Sequence, residues 1–493
     1  MAVTRRQMLT AAGALGVTAA TAPLLPTSAV AHGTAPAPTR PSDVLLPLFN
    51  NAAFNGQISF CLGGASSHTA EVGEVMRMVQ QVNKKTGNPG DADTTAADFE
   101  SLVQACIDLG DRLERLARRS GARNAVSYRQ RMMRASSYAA QALFFVLGGT
   151  EPDNEAEYFR ICQDRWLKSA RYFDRPVQPF VVDSRYGSIP CYFFPSPVGS
   201  GKRPTVIVSS GSDGQLVECM QFGVTDGLER GYNVVLFEGP GQMSRLFEKQ
   251  ITFTPDWNKV IEPIVERVRR RNDVGLVGLV GVSFAGMLSA RAAAEVDLDA
   301  TVLMPAAWNA TLVWGDQMDM NTVKQTHNLP RAEKQRARRE LNSGFASEWP
   351  QFPRTTQWGI YKRGEIYSRQ VLRDARAGRP PSDYYQLLEN MLPFVFDDDL
   401  RRITRPMLLT RNQGDQYFNG GAGVPPTPTT GKYDQPTYAF SLLRKVPPRH
   451  KKFFDFTAAQ GASLHDQPLA PQFANEVMFD WLARFLTARR GLG

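Results

Sequence analysis

Residues 275–286, GLVGLVGVSFAG, decide the fold of this chain. Their first half is apolar and rich in valine, which is typical of a buried strand. The alanine-rich run that follows, residues 287–295, favours a helix. Ser283 lies on the corner between the two, where small neighbours leave room for a tight turn. A serine on a sharp strand-to-helix corner is typical of a catalytic nucleophile.

The pattern around Ser283 also occurs by chance, so the prediction depends on a base further along the chain. A serine hydroxyl is a poor nucleophile until a neighbouring base takes its proton. Among the five histidines, His465 follows the last predicted strand, residues 452–456, at the sheet edge where Ser283 is expected. His450 precedes that strand, and the other three are His32 at the signal junction and His68 and His327 in helical regions. His465 is therefore the predicted base.

The acid is expected at the end of another strand at the same edge. Residues 406–410 predict a strand, and Asp415 lies in the loop that follows it. Asp415 would hold His465 in one tautomer and stabilise its protonated form. Asp434 is the weaker alternative. The resulting order of serine, aspartate and histidine is the order found in α/β-hydrolases.

Such a site also needs N–H donors for an oxyanion. One predicted donor is the N–H of Phe284, which directly follows the nucleophile and opens a helix. The other is the N–H of Ser212, in the glycine- and serine-rich loop 209–214 after the third predicted strand. The alternative is that this loop is only a turn.

The rest of the chain predicts an α/β fold with a mostly parallel, eight-stranded sheet flanked by helices. Strands alternate with helices over 176–305 and again over 403–490. Residues 43–175 predict a helical cap domain, and residues 306–402 predict a helical insertion after the sixth strand. Three aromatic residues of the insertion are candidates for substrate contact or for its hydrophobic core: Trp314, Trp358 and Tyr361.

Composition excludes several classes of function. The chain has 493 residues, of which 42% are hydrophobic and 21% charged, as in ordinary globular proteins. The formal net charge is +9. The densest basic run, residues 331–339, is interrupted by Glu333, which is typical of the solvent-exposed face of a helix. No nucleic-acid-binding motif is present, so we expect no nucleic-acid partner.

The N-terminus predicts export. Arg5 and Arg6 precede a mildly apolar run and then an Ala-Val-Ala sequence that ends at residue 31. This pattern predicts a twin-arginine signal peptide over 1–31, followed by a disordered start of the mature chain over 32–42. The apolar run is too short for a transmembrane helix, so we expect no stable membrane association. The expected location is outside the cytoplasmic membrane, with the twin-arginine translocase as a partner during export.

The five cysteines are scattered and contain no Cys-x-x-Cys pair: Cys61, Cys106, Cys162, Cys191 and Cys219. They predict no disulfide framework, although a single bridge stays open. No metal-ligand spacing exists in the sequence, so we expect neither a metal nor another cofactor.

Several stretches resemble one branch of the α/β-hydrolases, which includes the dihydroxypseudooxynicotine C–C hydrolases and fungal hydrolases that shorten pigment polyketides. The stretches are SGSDGQLVE (210–218), GYNVVLFEGPGQ (231–242), GVSFAG (281–286), NQGDQYF (412–418) and FTAAQGASLHDQP (456–468). Ala285 and Glu238 depart from the usual glycine and aspartate of this branch, and the loop 420–431 is longer. The resemblance implies the triad Ser283, Asp415 and His465, and enzymes of this branch are often homodimers.

The sequence therefore predicts an exported serine hydrolase. Its substrate would be a small organic molecule, an aryl ketone or polyketide-like compound, cleaved at a carbonyl-adjacent C–C or ester bond. Two alternatives stay open, namely a peptidase or acyltransferase with the same triad, and a non-catalytic binding protein on the same fold.

Overall fold

The computed structural model describes residues 46–314, 320–415, 417–419 and 434–487. The predicted signal peptide, the predicted disordered start of the mature chain and the loop 420–431 lie outside these residues.

The first elements of the described residues are helices, as the 3.6-residue spacing of apolar residues predicts. Thr95 and Asp98 form a capping box in which the Thr95 N–H donates to the Asp98 carboxylate at 2.8 Å, and this pair starts the longest helix. The apolar faces of these helices pack against each other in a common core. The helices are α1 (Ala52–Gly63), α2 (Val72–Thr86), α3 (Ala96–Ser120), α4 (Ala125–Phe145) and α5 (Glu155–Ala170).

The predicted sheet is confirmed, with eight strands in the order β1-β2-β4-β3-β5-β6-β7-β8. Strand β2 pairs antiparallel with β1 and β4, and the pairs from β4 through β3 to β8 are parallel. The central strands are buried along almost their whole length because helices cover both faces. The strands are β1 (Gln178–Ser184), β2 (Gly187–Phe194), β3 (Arg203–Ser209), β4 (Asn233–Phe237), β5 (Val274–Val282), β6 (Ala300–Met304), β7 (Met407–Asn412) and β8 (Lys451–Phe456).

One predicted helix is wrong in extent. The sequence predicts a helix near residues 216–230, between β3 and β4, but the structure has a 3-10 turn at Glu218–Met220 and a short helix, α6 (Val224–Glu229). Gly223 separates them because its φ of 106° is incompatible with a right-handed helix. The other helices on the sheet are α7 (Met243–Phe247), α8 (Asn258–Arg269), α9 (Phe284–Glu295), α17 (Gln435–Leu442) and α18 (Pro471–Leu486).

Between β6 and β7 the chain forms an insertion of helices, which packs on the N-terminal helices. The indole N–H of Trp358 donates to the Phe144 carbonyl at 3.0 Å, and Tyr361 is fully buried. Both therefore belong to the hydrophobic core, and the side chain of Trp314 lies outside the described residues. The helices are α10 (Ala310–Trp314), α11 (Met320–Thr326), α12 (Arg331–Glu348), α13 (Arg354–Gly364), α14 (Arg369–Arg376), α15 (Tyr384–Met391) and α16 (Asp397–Arg402).

Buried charges join the insertion to the N-terminal helices. The Arg376 guanidinium donates to Glu155, the first residue of α5, at 2.7 Å. Within the insertion itself, the Lys362 ammonium donates to Glu365 at 2.8 Å, and both side chains are almost completely buried. Separation of the two helical layers would leave the buried Glu155 carboxylate without Arg376, so this pair opposes their separation.

All five cysteines are free and buried, so the single bridge left open by the sequence is not formed in the structure. Burial raises the pKa of the Cys61 and Cys162 thiols to about 12, which keeps them protonated and unreactive. Within the described ranges, no helix combines the length and the apolar character that a membrane crossing requires.

Candidate active site

Ser283 lies at the junction of β5 and α9, as the sequence predicts. Its backbone has φ 54° and ψ −125°, a strained conformation that projects the side chain from the corner. A side chain at Gly281 would overlap the Ala285 carbonyl, and one at Gly286 would overlap the Pro305 carbonyl. The small residues are therefore required by backbone packing at this turn.

The structure brings Ser283, His465 and Asp415 together in one row. Ser283 Oγ lies 2.8 Å from His465 Nε2, and His465 Nδ1 lies 2.8 Å from Asp415 Oδ2. The alternative acid, Asp434, is not in this row, because it pairs with Arg411 at 3.1 Å at the start of α17. The three residues come from the ends of β5, β7 and β8, where parallel strands share an edge.

The Asp415 carboxylate is held by its own loop. Its Oδ1 accepts main-chain N–H bonds from Tyr417 at 2.8 Å and Phe418 at 3.0 Å, so Oδ2 is left to face the imidazole. The loop is tied to the histidine loop, because the Asn412 side chain donates to the Leu464 carbonyl at 2.6 Å. These bonds set the distance between acid and base before any substrate binds.

The His465 imidazole is set up as a proton acceptor towards Ser283. Because an ionised carboxylate can only accept, Asp415 fixes the proton on Nδ1 and leaves Nε2 free to accept from Oγ. Burial opposes the charged imidazolium and Arg363 repels it, but the carboxylates of Asp415 and Asp466 outweigh both and raise the pKa of His465 to about 9. The imidazolium is therefore strongly stabilised, and the imidazole becomes a proton acceptor for Ser283 as the pH rises towards 9.

The loop after β3 packs directly against the nucleophile through Gly211. The Gln242 side chain donates to the Gly211 carbonyl at 3.2 Å and also to the Ser210 carbonyl. Because C=O and N–H of a trans peptide point in opposite directions, the Ser212 N–H points away from Gln242. The Phe284 N–H is in the first turn of α9, where helix N–H groups have no acceptor within the helix. The oxyanion role of both N–H groups stays a prediction.

The segment GPGQ, which contains Gln242, is held in place by Glu238. This fully buried carboxylate accepts bonds from the Tyr192 hydroxyl at 2.6 Å, the Gln163 side chain at 2.6 Å and the Ser244 N–H at 2.9 Å. The glutamate that departs from the usual aspartate is thus satisfied by partners from three elements, and it supports the loop that reaches Gly211.

A largely buried arginine from the insertion, which the sequence does not predict, reaches the site. The Arg363 guanidinium, on α13, pairs with Asp213 of the loop after β3 and lies 5.6 Å from the centre of the Tyr417 ring. The Ser212 hydroxyl donates to the same Asp213 carboxylate at 2.7 Å. Arg363 thereby links the insertion to the predicted oxyanion loop. The sequence around Arg363 does not predict this contact, because the contact depends on how the insertion packs against the loop after β3.

Aromatic side chains pack against Phe284, the residue after the nucleophile, and against His465. The Phe284 ring packs against Phe253, Tyr367 and Phe394, with ring centres 5.0, 5.7 and 5.8 Å away. The His465 ring is flanked by Tyr417, whose ring centre is 4.9 Å away. These rings make the surroundings of Phe284 and His465 apolar, which strengthens electrostatic interactions there.

We expect Gly211→Ala to lower kcat by about 100-fold, the effect of an ångström-scale misplacement of reacting groups. The added Cβ would lie 2.6 Å from Ser283 Cβ and 3.1 Å from Ser283 Oγ, so the loop or the nucleophile has to move. Kinetics on an activated ester measure the effect. Gly73→Ala is the control, because no atom lies within 4 Å of the added methyl group. Full activity of Gly211→Ala would contradict the close contact.

In the part of the chain that the structure describes, no group of three or more histidine, cysteine, aspartate or glutamate side chains is arranged to hold a metal ion.

Comparison with known proteins gives relatives among fungal hydrolases. No model of a known protein family matches the chain. It is 27% identical over 267 residues to "Hydrolase ORFZ" of Pyricularia oryzae, covering 52% of this chain and 61% of that protein. It is 24% identical over 289 residues to "Alpha/beta hydrolase psoB" of Aspergillus fumigatus, covering 55% of this chain and 62% of that protein. The match thus spans about three fifths of these curated relatives.

Among solved structures, the crystal structure of the 2,6-dihydroxy-pseudo-oxynicotine hydrolase is similar in fold. Its TM-score is 0.56 at 17% identity, and the match covers 86% of this chain and 95% of that chain. At this identity the likeness establishes the fold, including the helical N-terminal region that precedes the sheet.

Proposed function

We propose that this chain, which has the α/β-hydrolase fold and relatives named as hydrolases, is a serine hydrolase with the triad Ser283, His465 and Asp415. The observation that carries the proposal is the row of two 2.8 Å contacts from Oγ through the imidazole to the carboxylate. A nucleophile, a base and an orienting acid in this order are the parts that nucleophilic acyl transfer requires.

In the proposed mechanism Ser283 Oγ attacks the substrate carbonyl while His465 Nε2 takes its proton. The N–H groups of Phe284 and Ser212 would hold the oxyanion, and each such donor contributes about 2.7–4 kcal/mol to transition-state stabilisation. Collapse of the tetrahedral intermediate expels the leaving group and leaves an acyl group on Ser283. Water, activated by the same imidazole, then releases the acid.

We propose a small organic substrate with an apolar acyl part, cleaved at a C–C or ester bond next to the carbonyl. Two features support this class. The aromatic residues beside Phe284 provide an apolar environment, and the sequence motifs resemble those of hydrolases that cleave next to a ketone. Similarity over three fifths of the curated relatives supports hydrolysis rather than a narrower activity.

Labelling with a fluorophosphonate probe tests the proposal. We expect one covalent adduct, on Ser283, found by intact mass and peptide mapping. A protein that stays unlabelled and hydrolyses no ester, aryl ketone or peptide would favour the alternative of a non-catalytic binding protein. Product analysis with amine and alcohol acceptors separates a hydrolase from an acyltransferase or peptidase with the same triad.

We also propose export by the twin-arginine pathway, from the sequence of residues 1–31 alone. We expect wild-type protein outside the cytoplasmic membrane with His32 as its first residue. Replacing Arg5 and Arg6 together by lysine should keep the protein in the cytoplasm, because the translocase recognises the arginine pair. Fractionation and N-terminal mass determination measure both outcomes. Unchanged export of the double variant would contradict this route.

We further propose that the protein forms a homodimer, because enzymes of the branch that it resembles are often homodimers. Light scattering measures the oligomeric state.

A further inference from the structure

A second carboxyl group, that of Asp466, faces the catalytic centre. Its Oδ2 lies 3.5 Å from His465 Nε2, the nitrogen that contacts Ser283 Oγ at 2.8 Å. Asp415 binds the opposite nitrogen, Nδ1, so the two carboxyl groups lie on different sides of the imidazole. Asp466 is therefore on the side where a substrate bound to Ser283 would react.

The Asp466 side chain is only 8% exposed, and its Oδ1 has no hydrogen-bond partner within the described residues. The residue has a left-handed backbone with φ 57°, and Gln467 follows with φ 49°. These two consecutive left-handed residues turn the chain directly after His465 and keep the carboxyl group inside the site. A buried polar atom without a partner is uncommon in a purely structural carboxylate.

The surroundings of Asp466 raise the pKa of its carboxyl group, so that it can carry a proton near neutral pH. Burial raises the pKa of Asp466 to about 7, with His465 and hydrogen bonding to Ser283 opposing this shift and Asp415 adding to it. The remaining charged group near the imidazole is Arg363, which is paired with Asp213. Because the pKa of His465 is about 9 and that of Asp466 about 7, a proton in this pair resides mostly on His465, and the form with a neutral imidazole and a protonated Asp466 is a minor, reactive population.

We propose that Asp466 is a second catalytic acid, which protonates a carbon leaving group while His465 serves as the base for Ser283. The inference rests on the proposed serine hydrolase function. It implies that the substrates are ketones whose leaving group is an enolate or a carbanion. A carbon leaving group is strongly basic and requires a proton as the bond breaks, whereas a nitrophenolate leaves without one.

The proton balance of the step is complete. The Ser283 Oγ proton moves to His465 Nε2 as the Oγ–C bond forms. The C–C bond then breaks, its electron pair stays on the leaving carbon, and the Asp466 O–H proton moves to that carbon. The imidazolium returns one proton to the Asp466 carboxylate across 3.5 Å. Water hydrolyses the acyl-Ser283, so all three groups end as they began.

The test compares Asp466→Asn with wild type on two probes, 1-phenylbutane-1,3-dione and p-nitrophenyl acetate. Asparagine tolerates a left-handed backbone, so the turn is retained. We expect kcat on the diketone to fall by about 100-fold or more, the contribution of a general acid. On the nitrophenyl ester at pH 8 we expect kcat/KM to rise about fivefold, because losing one carboxylate lowers the pKa of His465 by about one unit.

Opposite responses of the two probes are a signature that a merely structural role would not produce. Asp466→Glu should restore part of the diketone activity, and Asp434→Asn, at a buried aspartate outside the row, should affect neither probe. Equal losses on both probes would overturn the inference. So would a wild-type enzyme that hydrolyses the ester but not the diketone, which would leave the proposed function intact. Failure of wild type on both probes would instead count against the proposed function.

Discussion

Ser283→Ala should abolish fluorophosphonate labelling and lower kcat by about six orders of magnitude, as removal of the nucleophile does in comparable triads. The hydroxyl is the only atom group removed, while the strained backbone at φ 54° and the neighbouring N–H groups stay. The small residual rate would come from oxyanion stabilisation and binding. Turnover of p-nitrophenyl acetate and intact mass after labelling measure the two effects.

The control for this experiment is Ser289→Ala. Ser289 lies on the same helix, α9, is fully buried, and its Oγ has no hydrogen-bond partner within the described residues. Its removal should leave labelling and turnover close to those of wild type. Near-normal turnover of Ser283→Ala, or an adduct on another residue, would refute the proposed nucleophile.

The meeting of Ser283, His465 and Asp415 follows from the geometry of a parallel sheet. Strands β5, β7 and β8 run in the same direction, so the residues after their carboxyl ends meet at one edge. The valine- and leucine-rich strand patterns locate these ends closely enough in the sequence to select His465 over His450. For this reason the sheet and the meeting of Ser283, His465 and Asp415 were predictable from the sequence.

Contacts that depend on how loops and the insertion pack were not predictable. Asp466 is adjacent to His465 in the sequence, but the side to which its carboxyl group points is decided by two left-handed residues. Their sequence, Asp-Gln, carries only a weak preference for that conformation. Arg363 reaches Asp213 only because α13 packs over the loop after β3, and no local pattern encodes that arrangement. The break at Gly223 shortened a predicted helix for a similar reason, since glycine permits but does not require a positive φ.

The contacts of Asp415 hold its carboxylate between main-chain N–H groups and His465. Each Asp415 oxygen has its own task, because Oδ1 binds two main-chain N–H groups and Oδ2 binds the imidazole. A substitution that keeps the two main-chain bonds to Oδ1 but changes the contact with the imidazole therefore tests catalysis without removing the contacts that hold the loop.

Asp415→Asn is such a change, and we expect it to lower kcat by about four orders of magnitude, as the corresponding change does in other triads. The Asn carbonyl oxygen can still accept the two N–H bonds, but its NH₂ group would face His465 Nδ1 and donate to it. The imidazole would then carry its proton on Nε2 and could no longer accept from Ser283. Steady-state kinetics on p-nitrophenyl acetate measure the loss.

The same variant should also change the pH dependence of the residual activity. Asp415 is the first of the two carboxylates that outweigh burial and raise the pKa of His465 to about 9. Without its charge the histidine loses its proton at lower pH, so the acidic limb of kcat/KM should move to lower pH. Asp434→Asn removes the charge of another buried aspartate, outside the row, and should change neither kcat nor the acidic limb. Only the carboxylate that orients His465 controls both its tautomer and its pKa. If Asp434→Asn lowered kcat more than Asp415→Asn does, Asp434 and not Asp415 would be the acid of the triad.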